Sequence, residues 1–161
     1  MTRINPRDRP FRYGLAMATA HEIFWTRSSF AFVGHSAKKG FPALSYGEAK
    51  RRGKKVFAVD ASVAQVAGDK TYPDLRSLPE KVDGVVLEVP REETAAWVQQ
   101  AAAAGINNVW IHMHRETPEA LAAAKASGLN VFTGTCAVMY LSRGLDQHAV
   151  HRWINKLAAR Y

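Results

Sequence analysis

The chain alternates between short, continuously apolar runs and longer stretches in which apolar and polar residues recur at helical spacing. The apolar runs are "SFAFVG" (29–34), "KKVFAVD" (54–60), "GVVLEV" (84–89), "NNVWIHM" (107–113) and "NVFTGT" (130–135). Each has the length of a strand, and the apolar residues of each are consecutive rather than at every second position. That is the pattern of a strand covered on both faces. Between them the spacing predicts helices. "SYGEAKRR" (45–52) is stopped by Gly53, and "EETAAWVQQAAAAG" (92–105) follows Pro90, with Glu92 and Glu93 at the positive end of its dipole. "TPEALAAAKASG" (117–128) has Thr117 as its N-cap and Pro118 at the first helical position. A leading helix over about 16–27, with Ile23 and Phe24 on its apolar side, and a final helix over about 146–159 complete the set. Residues 65–83 read as an irregular stretch holding one short strand and one turn of helix.

Strands buried on both faces and separated by helices imply a parallel sheet with helices on each side. The expected fold is therefore α/β: a Rossmann-like, doubly wound, mainly parallel five-stranded sheet with a C-terminal helix. Residues 16–161 form one domain behind a basic N-terminal arm, 1–15, that carries Arg3, Arg7, Arg9 and Arg12. In such sheets a ligand binds beyond the carboxyl ends of the strands, where the strand order reverses. The loops beginning near Gly34, Asp60, Pro90, His112 and Thr135 are thereby marked.

Composition narrows the partners. A length of 161 residues with 47% hydrophobic content suits one domain with a sizeable core. No apolar run approaches the roughly 18 residues that span a membrane, and the first residues lack the apolar segment of a secretory signal. The single cysteine, Cys136, forms no internal disulfide, which fits a reducing compartment; a cytoplasmic protein is expected. The formal net charge of +8 attracts phosphates, on a small ligand or on nucleic acid. Nucleic acid is disfavoured, because its recognition wants aromatics interleaved with basic residues on an exposed face, whereas Trp25, Trp97 and Trp110 fall at core-facing positions.

The loop "GHSAKKG" after the first strand is neither G-x-G-x-x-G nor a loop ending in Gly-Lys-Ser/Thr. It still carries phosphate chemistry. Gly34 and Gly40 bracket His35, Ser36, Lys38 and Lys39: backbone that allows close approach, a hydroxyl, and two positive charges. The helix start expected near Ser45 adds free N–H groups and dipole. An ordinary turn explains the same glycines.

The order of these pieces resembles the small stand-alone CoA-binding domain proteins, which are similar to the N-terminal domain of the succinyl-CoA synthetase alpha subunit. The resemblance covers about residues 20–140 and rests on "FVGHSAKKG" with "SYG", "GKKVFAVD", "VAGDKTYPDLRSLPEKVDGVVLEVP", "AAAAGINNVWIHM" and "GLNVFTGTC". The third is the most specific, through Gly68, Tyr72, Leu75, Pro79, Asp83 and Val89-Pro90. The resemblance implies a Rossmann-like domain that holds CoA or acyl-CoA by the loops after its strands, without a reaction of its own. Gly34, His35, Ser36, Lys38, Lys39, Gly40, Ser45, Asp60, Val89, Pro90 and His112 are then the contact positions. It also leaves a ligase partner subunit and a homo-oligomer open. The chain ends soon after the first domain of the synthetase would, so acyl-CoA synthesis by it alone is not expected.

Two departures keep an alternative in play. Asp60-Ala61 stands where the family has Asn-Pro, and Trp110-Ile-His112-Met-His114 where it has Trp-x-Gln-x-Gly. An acidic residue at Asp60, beyond a glycine loop, is what a dinucleotide site uses on a ribose hydroxyl, so an NAD(P)-binding, oxidoreductase-like protein is the second reading. His112 and His114 share a direction if the strand persists, but a metal site needs further ligands that no spacing here supplies. Cys136, at an expected helix start, is read as a small buried thiol, since a nucleophile needs a positioned base.

Overall fold

The computed structural model describes residues 18–141. The final helix expected over 146–159 and the basic arm 1–15 lie outside the described residues. A short helix, α1 (Ala20–Phe24), leads into β1 (Ser29–Gly34), α2 (Phe41–Arg51) and β2 (Lys55–Val59). Then come β3 (Gln65–Val66), β4 (Asp69–Tyr72), a 3₁₀ turn (Leu75–Ser77) and β5 (Gly84–Glu88). The chain continues through α3 (Arg91–Ala103), β6 (Asn108–Ile111), α4 (Pro118–Ala126), β7 (Asn130–Phe132) and α5 (Val138–Leu141).

All seven strands lie in one sheet, in the order β3-β4-β2-β1-β5-β6-β7. The main ladders are parallel, with Val33 opposite both Val59 of β2 and Leu87 of β5, and only β3 and β4 pair antiparallel. The sheet is thus Rossmann-like as expected but has seven strands, not five. The additional pair is a tight hairpin in which Ala67 (φ 48°) and Gly68 (φ 83°) both take left-handed conformations. Such a turn matches the twist of paired strands, and it folds residues 65–72 back on themselves.

The alternation of the strands sorts the core into two layers. Phe30, Phe32, Val86 and Trp110 face a layer with Phe24 of α1, Tyr46 and Ala49 of α2, and all of α5. Ala31, Val33, Val85, Leu87, Val109 and Ile111 face the other, with Val98 and Ala101 of α3 and Ala120 and Ala124 of α4. Helices therefore cover both faces, which is why the central residues of β1, β5 and β6 are consecutively apolar. Trp25 and Trp110 are buried and Trp97 packs against the second layer, as their positions in the sequence suggest.

Local signals fix the helix ends. Thr117 Oγ1 accepts from Ala120 N at 3.1 Å, a cap worth about 1 kcal/mol, and α4 begins at Pro118. The leading helix is shorter than its pattern: Phe24 is fully buried, but Ile23 is 48% exposed, so only one of the two apolar residues expected inside reaches the core. Helix α2 begins at Phe41, one turn earlier than Ser45, because Gly40 and Pro42 start it.

Candidate functional site

β1 lies between β2 and β5: the chain builds outward from it through β2, β3 and β4 on one side and resumes on the other side at β5, so the strand order reverses there. The last rung of the β1–β5 ladder pairs Gly34 with Glu88. A cleft of about 300 Å³ opens just beyond it. The loop after β1 contributes His35, Lys38 and Lys39, the end of β5 contributes Glu88, Val89 and Pro90, and Glu92 and Arg115 close the rim.

The loop after β1 is held from both sides. Lys38 N and Lys39 N donate to His35 O at 2.9 and 3.1 Å, forming the turn that presents both lysine side chains to solvent. On one flank Ser36 N donates to Asp60 Oδ2 at 2.6 Å, while Asp60 Oδ1 accepts from Ser62 N at 2.9 Å and from Ser62 Oγ at 2.6 Å. Burial pushes the Asp60 carboxyl up, but the hydrogen bonds from Ser62 and Ser36 together outweigh it and hold its pKa below the usual range. On the other flank His35 Nε2 lies 2.8 Å from Glu93 Oε2 in the first turn of α3. Asp60 is only 3% exposed and both its oxygens are engaged within the protein. It ties the loops after β1 and β2 together instead of standing open to a ribose hydroxyl.

Gly34 is also committed to packing. A Cβ there would meet Pro42 Cγ at 2.3 Å, so the close approach this glycine permits is that of α2 to the sheet. Ser45 sits in the second turn of α2, fully buried, and its Oγ donates to Glu88 Oε1 at 2.6 Å. It is not at the free helix end. Gly40 is the exposed N-cap residue and makes no side-chain cap.

Glu88 forms the floor of the cleft. Its side chain is 2% exposed, and His112 Nδ1 stands 3.6 Å from its Oε1. Burial raises the Glu88 pKa to about 8, against the pull of the Ser45 hydroxyl. Burial likewise lowers that of His112 to about 4, helped by the neighbouring Arg115 and His114 and opposed by Glu116. Burial thus favours the neutral form of both groups, and their contact lacks the geometry of a tight ion pair. β6 ends at Ile111, and His114 takes a left-handed conformation (φ 63°), so the period-two argument that aligned His112 with His114 does not apply to them. Among the described residues no group of three His, Cys, Asp or Glu is placed to hold a metal ion.

Cys136 is buried, and burial raises its pKa, with Glu88 adding to the rise and the N–H groups of Val138 and Met139 opposing it. The four-residue α5 behind it does not produce an activated thiolate.

Of the positions nominated by sequence, His35, Lys38, Lys39, Val89 and Pro90 meet in the cleft. His112 and Ser45 lie against its floor. Gly34, Ser36 and Asp60 form a tight neighbouring seam with Pro42 and Tyr46. Glu88 and Arg115 were not nominated. A lone carboxylate inside the apolar run "GVVLEV" is the signal that marks Glu88; nothing in the sequence marks Arg115.

A mostly parallel α/β sheet with a cleft at its switch point, lined by Lys38, Lys39 and Arg115, has the geometry of an α/β ligand-binding domain. The chain belongs to the CoA-binding domain family, whose model matches residues 28–142. A hypothetical protein from Pyrococcus horikoshii is similar at 27% identity, with a TM-score of 0.66 over 74% of this chain and 84% of that one. A protein redesigned for binding is similar at 26% identity, with a TM-score of 0.70 over 79% and 93%. An acetyl-coenzyme A synthetase from Ca. Korarchaeum cryptofilum shares the fold at 21% identity and a TM-score of 0.57, over 65% of this chain but 25% of the synthetase. Among the described residues no helix is long and apolar enough to cross a membrane.

Proposed function

We propose that the chain is a non-catalytic module that binds CoA or acyl-CoA in the cleft beyond β1 and β5. The observation that carries this reading is the pairing, in one cleft, of exposed Lys38 and Lys39 with the apolar Val89-Pro90 wall. The lysines and Arg115 answer the phosphates of the ligand, and the apolar wall answers its uncharged arm. Lys and Arg form charge-assisted hydrogen bonds with phosphate, and α2 adds the positive end of its dipole behind Gly40. No activated thiol or base is required: burial favours the protonated Cys136 thiol and the neutral forms of His112 and Glu88.

Binding to an NAD(P) cofactor is the weaker reading, because the acidic residue that would take the ribose, Asp60, is buried and engaged. The test is thermal denaturation with CoA, acetyl-CoA and NAD in turn, since a ligand bound only by the folded state raises Tm by mass action. CoA is expected to raise Tm and NAD to leave it unchanged. A larger shift with NAD reverses the assignment.

A further inference from the structure

Resting on the reading of the cleft as a CoA site, we propose that Glu88 contacts the uncharged arm of the ligand. In this assignment its Oε2 hydrogen-bonds an amide or thioester carbonyl oxygen of that arm.

The argument starts from an unanswered polar atom. Glu88 lines the cleft with a side chain 2% exposed. Its Oε1 accepts from Ser45 Oγ at 2.6 Å, whereas its Oε2 is buried and has no hydrogen-bond partner among the described residues. Buried polar atoms are nearly always satisfied, and an unsatisfied one at the end of a strand, inside a binding cleft, is explained by a ligand that completes it.

The chemistry of the partner follows from the surroundings. Lys38 and Lys39 face the cleft from the loop after β1, Glu92 from α3 and Arg115 from beyond β6; His112 and Cys136 lie behind the carboxyl. The cations sit at the rim, and the floor is enclosed. A phosphate placed on the floor would be stripped of water beside a carboxyl with no cation in contact, a costly arrangement. An uncharged carbonyl is not penalised in this way. Because Ser45 donates to Oε1, a proton carried by the carboxyl belongs on Oε2, which makes that atom the donor for an acceptor such as a carbonyl oxygen. The ligand is thus read in two parts: phosphates by the rim lysines, and the carbonyl-bearing arm by Glu88.

The experiment is calorimetric titration of the full chain with two probes, CoA and adenosine 3′,5′-bisphosphate, which has the phosphates but no arm. Glu88→Leu should weaken CoA about tenfold, the size of one lost hydrogen bond, and leave the bisphosphate unchanged. The double variant Lys38→Ala/Lys39→Ala should weaken both. Glu88→Gln keeps a donor and an acceptor. It should bind CoA within about twofold of the wild type at pH 7. Between pH 7 and 9 wild-type affinity for CoA should fall as the acid ionises, and that of Glu88→Gln should hold. A Leu variant that binds CoA normally, or that loses both probes alike, overturns the assignment. If that variant does not fold, or the bisphosphate binds too weakly to measure, the pH arm decides: parallel pH dependence of wild type and Glu88→Gln overturns it. A wild-type chain that binds CoA at neither pH overturns the CoA reading itself, and the Glu88 assignment with it.

Discussion

Pro42 occupies the space that a side chain on Gly34 would fill, at 2.3 Å from the position of its Cβ. The end of β1 and the first turn of α2 therefore touch through a missing methyl group. Gly34→Ala should force α2 off the sheet and cost about 1–3 kcal/mol, the range for overpacking a close contact. Urea denaturation checks this. CoA affinity should fall together with stability, because the lysine loop lies between the two displaced elements.

Replacing Lys38 and Lys39 with Ala should lower CoA affinity about tenfold or more while leaving the unliganded Tm within error. Both side chains are exposed, so the folded state does not depend on them. Unchanged affinity would assign phosphate binding to the backbone of the loop.

Asp60→Asn should destabilise the protein at pH 7 by about 1–3 kcal/mol, since three donors bond a charged carboxylate in the wild type. The folded-state pKa of Asp60 is lowered, so its stabilisation is complete above its unfolded-state pKa, about 3.9, and is lost as pH falls through the folded value. The gap between wild type and variant, followed by denaturation from pH 7 to pH 3, should narrow at the acid end.

For Glu88 the sign is opposite. Its folded-state pKa, about 8, lies above the unfolded one, so the neutral carboxyl favours the fold most at low pH and this contribution disappears as pH rises through 8. Glu88→Gln should therefore raise Tm relative to wild type by an amount that grows from pH 5 to pH 9. A constant difference across that range would mean that the carboxyl is not held neutral.

Cys136 should react slowly with iodoacetamide at neutral pH, and CoA should not change the rate, because burial raises its pKa. Cys136→Ser should lower Tm, as a hydroxyl then sits where a weakly polar thiol was buried, and should leave CoA affinity intact. Rapid modification that CoA blocks would point to a reactive thiol in the site.

The sheet was legible because burial on both faces leaves its mark on every residue of runs such as 84–87, and because Thr117-Pro118 states a helix start locally. The hairpin of β3 and β4 was not. Its turn places Ala67 rather than Asn or Asp in a left-handed conformation, so the usual residue signal is missing. Pro42 signals the start of α2, whereas the polar run from Ser45 suggests a later one, and a start there would put a fully buried hydroxyl at a helix end. Lys38 and Lys39, residues of one continuous loop, are legible as candidates from the sequence, and both line the cleft. Glu88 and Arg115 reach the cleft from segments distant in sequence, and their role depends on which strand ends adjoin, a property of topology rather than of any short motif.

The loop after β1 is anchored at Ser36 to Asp60 and at His35 to Glu93, leaving only a few residues before α2 begins. A loop fixed in this way has already lost most of its backbone freedom when the protein folds. Capture of a phosphate then has to still little more than two lysine side chains, at about 0.5–1.5 kcal/mol each, instead of a whole segment. Association should accordingly be rapid and uncomplicated, a single kinetic step without a slower closing phase.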